Sequence, residues 1–215
     1  MKKSIYSLVL SDAVIEGIDR MAYGMGISRS ALINQILAER IDYITPEQRI
    51  AQVFEALENF VRHSGAYRIY AQPSSSMFSL TAPLTYKYNP TVKYSLELNK
   101  EYVQGKDVGV LRISLRSKSA ALMECLNAFY LIWSALEKRS TGRCGTAYSD
   151  GRYAKPIRPI GNLTPEELGT AIADYIKVVD DCMGIFFSYL DSPARSAREI
   201  EARYLSYLNS KAKIM

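Results

Sequence analysis

The sequence predicts an α+β protein that is rich in helix, in which a small N-terminal segment precedes a larger domain. Three observations predict this fold class. Residues 4–41 hold one short alternating stretch and two stretches with helical spacing, and residues 77–115 hold three alternating stretches separated by turn residues. Residues 118–210 hold long runs with the 3.6-residue spacing of helices. Strands grouped between helices are typical of a small antiparallel sheet packed on long helices.

The first element is a short strand from Ile5 to Leu10, whose side chains alternate between two faces. One face carries Tyr6, Leu8 and Leu10, and the other carries Ile5, Ser7 and Val9. A single strand leaves its backbone N–H and C=O groups unpaired, so this strand needs a partner.

Two amphipathic helices follow the strand. Ser11 or Asp12 can cap the first helix, and Gly24 and Gly26 end it, because glycine adopts the left-handed conformation of a helix terminus at little cost. Ser28 caps the second helix. The apolar stripe of the first helix consists of Val14, Ile18, Met21, Ala22 and Met25, and that of the second consists of Leu32, Ile33, Ile36, Leu37 and Ile41.

This N-terminal segment is too short to close a hydrophobic core by itself. Two-fold symmetry supplies what is missing, because two chains can pair their strands antiparallel and pack their four helices beneath the strands. We therefore predict a homodimer or a higher even oligomer, in which the hydrogen bonds of the strand cross between subunits.

The same segment resembles the ribbon-helix-helix family, which includes the Arc and methionine repressors and many plasmid copy-control proteins and antitoxins. The resemblance covers about the first fifth of the chain. It rests on the strand ending in Leu10-Ser11-Asp12, the glycine-containing turn, and the run Gly26-Ile27-Ser28-Arg29-Ser30 followed by Ala31-Leu32-Ile33.

The resemblance implies that the paired strands enter the DNA major groove, where Ile5, Ser7 and Val9 would face the base edges. Ser7 can form a hydrogen bond with a base. Ile5 and Val9 depart from the family, which commonly has Arg, Lys, Thr, Asn or Gln there, and they could contact only a thymine methyl group or a sugar. This departure leaves open the alternative that the strand face meets protein, including the chain's own second domain.

The start of the second helix is a candidate phosphate site. The backbone N–H groups of Arg29 and Ser30, together with their side chains and that of Ser28, can hold a phosphate at the positive end of the helix dipole. Lys3 is a further candidate phosphate contact. Residues 1–43 hold five Lys/Arg and five Asp/Glu, so the segment itself supplies little long-range attraction to DNA.

The rest of the chain predicts a second domain of helices and strands over residues 45–215. Thr45-Pro46-Glu47 begins a helix that runs to about His63, and Lys118 to Lys138 forms a helix apolar on nearly every side, which other elements should cover. Thr164-Pro165 begins a helix that runs to about Leu190, and Pro193 begins the last one. The predicted strands are Met77 to Tyr88, Val92 to Leu98, and Val108 to Leu115.

Two further stretches allow alternative interpretations. The interleaved residues Tyr86, Lys87, Tyr88, Lys93 and Tyr94 could stack single-stranded bases or could simply stabilise the sheet. The stretch from Lys138 to Pro159 holds six Lys/Arg against one Asp, together with three glycines and two prolines, and is expected to be a long, partly mobile connection. It is either a solvated loop or an arm that contacts phosphates. Its candidate contacts to the DNA backbone are Arg143, Arg152, Lys155 and Arg158.

The composition weighs against several functions. The chain is 48% hydrophobic and 23% charged, as is usual for globular proteins, and its net charge of +5 permits nucleic-acid binding without establishing it. Cys125, Cys144 and Cys182 have no C-x-x-C spacing and suggest reduced thiols of a cytoplasmic protein. The single histidine and the lack of known catalytic motifs predict no enzymatic activity, no metal and no cofactor.

No membrane segment is predicted. The most apolar window, residues 120–136, contains Glu124 and Asn127 and is therefore interpreted as a buried helix rather than a membrane span. The apolar run after Lys2 and Lys3 is too short and too polar for a secretory signal, so we expect a cytoplasmic protein.

The sequence as a whole predicts a ribbon-helix-helix module at residues 1–44 and a domain at residues 45–215 that oligomerises, senses a signal or binds a protein partner. We expect sequence-specific binding of double-stranded DNA, most readily as a transcriptional repressor. Roles in plasmid partition or relaxosome assembly remain open, and the larger ordered domain argues against an antitoxin. The alternative is a protein-protein or RNA-binding accessory factor that uses the module only for dimerisation.

Overall fold

The computed structural model describes residues 7–41, 43–70, 74–101, 103–148, 150–210 and 212–215. Over these residues the chain is α+β, with six helices and one six-stranded antiparallel sheet. The predicted α+β class with a small antiparallel sheet is therefore confirmed. The chain divides into two compact units, a first unit of Met1–Arg49 and a second unit of Ile50–Met215.

The first unit holds a helical hairpin made of α1 (Asp12–Met25) and α2 (Arg29–Arg40). Gly26 ends α1 with a left-handed φ of 64°, and the N–H groups of Gly26 and Ile27 donate to the carbonyls of Tyr23 and Ala22. These bonds satisfy carbonyl groups that the helix end would otherwise leave unpaired. Both helices and the end of α1 at Gly26 were predicted from the sequence, whereas Gly24, which was also predicted to end α1, lies within its last turn.

The predicted strand before α1 is only partly within the described residues. Ile5 and Tyr6 lie outside them, and the residues from Ser7 to Ser11 adopt no regular secondary structure. Because the predicted pairing of this strand joins two chains, the ribbon stays a prediction.

The second unit is built around a sheet with one buried face. The strands are β1 (Arg68–Ile69), β2 (Met77–Pro83), β3 (Thr91–Leu98), β4 (Gly109–Leu115), β5 (Thr146–Tyr148) and β6 (Arg152–Ile157). Their order in the sheet is β1-β2-β3-β4-β6-β5, and every neighbouring pair is antiparallel. Burial alternates along β3, β4 and β6, so one face of the sheet meets the hydrophobic core and the other faces solvent.

Four helices accompany this sheet: α3 (Pro46–Ser64), which begins in the first unit, α4 (Ala120–Thr141), α5 (Pro165–Ser188) and α6 (Pro193–Ser210). Each lies within one helical turn of its predicted bounds. At the start of α5, Thr164 and Glu167 exchange side-chain and backbone hydrogen bonds of 3.1 and 3.0 Å in a capping box. In the described part of the chain, no helix has the length and apolar character needed to cross a membrane.

Two predictions about strands and loops are wrong. The first predicted strand ends at Pro83 rather than Tyr88, and the chain then turns back through Tyr88 and Asn89, whose φ values are 63° and 43°. The stretch from Lys138 to Pro159 is not a long mobile connection, since it holds the end of α4 and both strands β5 and β6.

Candidate nucleic-acid interface

The helical hairpin of the first unit leaves most of its apolar stripe uncovered in a single chain. Only Ala22, Leu32 and Ala38 are buried among the residues of α1 and α2. By contrast, Leu37 is 53% exposed and Ile41 is 74% exposed. The side chains that should form a core therefore lie on a surface, which is the arrangement expected of half of a shared core.

The predicted base-facing residues are only partly described. Ser7 and Val9 are exposed, and the Val9 side chain is fully accessible to solvent. Ile5 and Lys3 lie outside the described residues. The assignment of this strand to DNA bases therefore stays a prediction.

The start of α2 presents the predicted phosphate-binding residues to solvent. The Ser28 Oγ accepts a hydrogen bond of 3.2 Å from the Ala31 N–H, which confirms Ser28 as the cap. Arg29 and Ser30 are exposed beside it. The first N–H groups of a helix have no partner within the helix, so those of Arg29 and Ser30 can bind an anion.

Sequence reasoning missed the partner of Arg29. Asp19 of α1 accepts a 2.5 Å hydrogen bond from Arg29 Nη2 through its Oδ2 and also contacts Arg29 Nε through its Oδ1. A guanidinium group has five N–H donors, so this pairing orients Arg29 and leaves most of these donors for a phosphate. The opposite charges of residues 19 and 29, on two helices joined by a tight turn, were the signal that could have revealed the pair.

The four cations proposed as an auxiliary arm do not form one surface. Arg143 and Arg158 each donate a 2.9 Å hydrogen bond to Asp107 Oδ1, so these three residues together carry a net charge of +1. Arg152 is exposed and pairs with Asp150 at 2.5 Å. A solvated loop or a phosphate-contacting arm would expose all four side chains, and this prediction is wrong for Lys155, which is only 2% exposed on the inward face of β6.

Lys155 is buried because it belongs to a closed polar network around Glu137 of α4. Glu137 Oε1 accepts a hydrogen bond of 2.7 Å from the Tyr175 hydroxyl and forms an ion pair of 3.0 Å with Lys155 Nζ. Glu137 Oε2 accepts from the Tyr153 hydroxyl at 2.5 Å and from the Gly145 N–H at 3.0 Å. Burial, and next the negative charge of Glu137, raise the pKa of Tyr175 well above its ordinary value. Because Glu137 is 0% exposed, the network is a structural element rather than an accessible site.

The run of aromatic and basic residues also separates into different environments. The hydroxyl of Tyr94 is in the core and donates to Asp180 at 2.6 Å, and Tyr86 packs edge-on against Phe187 with ring centroids 5.1 Å apart. Lys93 faces away from the core and lies 4.4 Å from the centroid of Tyr70. These residues therefore do not form a single surface on which bases could stack.

No metal-binding cluster of three or more His, Cys, Asp or Glu occurs among the residues that the structure describes. The three cysteines are free thiols, and burial raises the pKa of Cys182 to about 12. A buried thiol with a raised pKa is a poor nucleophile at neutral pH.

No protein-family model matches the chain, and comparisons with curated proteins and with solved structures found no match. The resemblance to the ribbon-helix-helix family stays a prediction from the residues themselves.

Proposed function

We propose that this protein binds double-stranded DNA in a sequence-specific manner as a homodimer, most readily as a transcriptional repressor. The observation that carries the proposal is the exposed apolar stripe of α1 and α2, next to an α2 start that offers Ser28, Arg29 and Ser30 to solvent. The stripe accounts for dimerisation, and the helix start accounts for contact with phosphates.

A two-fold dimer of the first unit would present two copies of the α2 start. Each copy offers backbone N–H groups, two hydroxyl groups and the free donors of a guanidinium that Asp19 already orients. Two phosphate-binding sites related by the two-fold axis match the two half-sites of a pseudo-palindromic duplex. The strand side chains Ser7 and Val9 would lie between them and read the bases only weakly.

The alternative function is that of a protein-binding or RNA-binding accessory factor. The exposed Val9 and the neighbouring Leu8, which is 58% exposed, favour it because they offer apolar contacts rather than hydrogen bonds to a partner. In that case the first unit would serve only for dimerisation.

Selection of genomic fragments with the purified full-length protein tests the proposal. We expect enrichment of a common duplex site, and a stronger binding of that site than of shuffled duplex at the same salt concentration. Tighter binding of single-stranded RNA than of any selected duplex, measured in a parallel assay, would favour the alternative. Absence of any duplex binding by the intact dimer, even at low salt, would disprove the proposed function.

A further inference from the structure

Helix α4 has one face without a partner among the described residues. Its other face packs in the core through Leu126, Phe129 and Trp133, each of which is completely buried. The sequence predicted that this nearly all-apolar helix would be covered on all sides, and that prediction is wrong. Leu131 is 65% exposed, and its neighbour Ile132 is 41% exposed.

The uncovered residues recur with the spacing of a helix-helix contact. Steps of three and four residues place them on one stripe along the helix, as in a heptad pattern. The members of this α4 stripe are Ala121, Glu124, Ala128, Leu131, Ala135 and Lys138, and all six are exposed. The small side chains of Ala128 and Ala135 on either side of Leu131 would let another helix approach closely.

The charges of the α4 stripe are placed symmetrically about Leu131. Glu124 lies seven residues before Leu131 and Lys138 lies seven residues after it, which corresponds to about 10 Å along the helix in each direction. Within the described residues, neither side chain takes part in an ion pair. The adjacent Arg139 is already bound to Glu201 at 2.5 Å.

This symmetry identifies the partner that the stripe fits. If a second α4 packs antiparallel, with the two-fold axis at Leu131, Glu124 of each copy faces Lys138 of the other and Leu131 faces Leu131. A parallel arrangement would instead place Glu124 opposite Glu124 and Lys138 opposite Lys138. The charge pattern is therefore complementary to itself only in the antiparallel, isologous arrangement.

We propose that the α4 stripe is a second self-association surface, which joins two copies of the chain through antiparallel packing of α4 on α4. The surface belongs to the second unit and is distinct from the apolar stripe of α1 and α2. The proposal does not rest on DNA binding, so either can fail without the other.

Cysteine cross-linking of the full-length protein tests this contact. The variant Leu131→Cys should form a cross-linked dimer under mild oxidation, because its two thiols meet at the two-fold axis. The matched control is Ala202→Cys, which places a thiol at an exposed position of α6, and the wild-type chain measures the background from its own cysteines. We expect at least a fivefold higher cross-linked fraction for Leu131→Cys. Equal fractions would overturn the proposal.

Charge reversal tests the antiparallel arrangement independently. In the Leu131→Cys background, Glu124→Lys alone and Lys138→Glu alone each place like charges opposite each other and should lower the cross-linked fraction severalfold. Co-expression of the two variants, one of them tagged, restores both ion pairs in the mixed species. We therefore expect that most of the cross-linked product pairs one Glu124→Lys chain with one Lys138→Glu chain.

The fold should tolerate these changes because all the substituted side chains are exposed, and unchanged thermal unfolding would verify this. A mixed product no more abundant than a random combination of the two chains would reject the antiparallel arrangement.

Discussion

At the scale of single residues, the ion pair of Lys155 and Glu137 is the most tightly enclosed polar feature described. Both side chains are almost completely buried, and Glu137 also accepts three hydrogen bonds. Desolvation offsets much of the attraction within such a pair, so its net contribution to stability is small. Loss of one partner is costly, because it leaves the other charge buried without compensation.

We expect Lys155→Met to destabilise the protein by about 3–5 kcal/mol, as for other buried pairs that lose one partner. Urea unfolding of the full-length protein measures the change. The control Arg152→Met removes an exposed cation from the same strand and should cost at most about 1 kcal/mol. Adding Glu137→Gln to Lys155→Met should recover part of the loss. Equal stability of the Lys155→Met and Arg152→Met variants would contradict the structural role of the pair.

The partly buried carboxyl group of Asp180 predicts a dependence of stability on pH. Burial raises its pKa, and hydrogen bonds from Tyr94 and Tyr67 oppose that rise only in part. In the range between the unfolded and the folded pKa, the native state binds more protons than the unfolded state. The contribution of Asp180 to stability therefore falls as the pH rises through this range.

Comparison with Asp180→Asn isolates this effect. The free energy of unfolding of the wild type, minus that of the variant, should decrease as the pH rises above the ordinary pKa of an aspartate. Chemical unfolding at a series of pH values measures it. The exposed Asp191→Asn variant controls for the replacement of a carboxyl group by an amide. A constant difference for Asp180→Asn across this range would show that the pKa of Asp180 does not change on folding.

Arg29 is the residue on which the phosphate interpretation can be tested most directly. Arg29→Ala should weaken binding to specific and nonspecific duplexes by a similar factor, because phosphate contacts carry no sequence information. The slope of log affinity against log salt should flatten by about 0.9 for each phosphate that the variant no longer neutralises. Asp19→Asn removes a negative charge beside the site and should strengthen binding.

The control for Arg29 is Arg20→Ala, which removes an exposed cation of α1 that pairs with Glu16 at 3.9 Å. It should leave the salt slope unchanged. If Arg29→Ala also leaves the slope unchanged, the start of α2 does not contact DNA.

At the scale of elements, the end of α1 shows how local backbone conformation fixes a helical hairpin. Gly26 has a left-handed φ of 64°, whereas Gly24, two residues earlier, lies within the helix. A side chain at either glycine would meet open space, since no atom lies within 4 Å of a Cβ added there. The difference between the two positions is therefore one of backbone conformation alone.

We expect opposite effects of alanine at these two glycines. Gly26→Ala should destabilise the first unit by about 1–2 kcal/mol, because a Cβ disfavours the left-handed conformation. Gly24→Ala should stabilise it by about 0.5–1 kcal/mol, because alanine favours helix. Urea unfolding at a fixed protein concentration measures both. A stabilising Gly26→Ala would show that α1 does not end there.

At the scale of the whole molecule, the exposed stripe of α1 and α2 predicts an obligate association of chains. In a single chain, Leu37 is half exposed, so a polar substitution there would be nearly neutral. In a dimer that buries the stripe, Leu37→Asp would place a charge in the shared core and dissociate or unfold the first unit. The effect of Leu37→Asp therefore distinguishes a monomer from a dimer that buries the stripe.

Sedimentation of the full-length protein tests this prediction. We expect the wild type to be a dimer or a higher even oligomer at micromolar concentration, and Leu37→Asp to lose the association made by the first unit. Asn34→Asp, which introduces the same side chain at an exposed position of α2, should behave as the wild type. A folded wild-type monomer at that concentration would be inconsistent with the shared core.

The features that the sequence alone determined are those that depend on neighbours along the chain. The capping box of Thr164 and Glu167, the left-handed end of α1 at Gly26 and the alternation of β3 and β4 each involve residues a few positions apart. Local propensity, capping and periodicity act over this distance, so the helices and the main strands could be predicted. The cap at Ser28 was predictable for the same reason.

The tertiary structure alone decided which distant residues meet. Sheet pairing places β6 beside β4, which turns Lys155 inward to Glu137 and joins Arg143 and Arg158 at Asp107. The same packing covers one face of α4 and leaves Leu131 exposed on the other. Whether a cation is buried or free depends on strand register and on the partner across the core. Neither the strand register nor the partner across the core is encoded in the short stretch of sequence around the cation. A local count of charges therefore could not distinguish a buried cation from a free one.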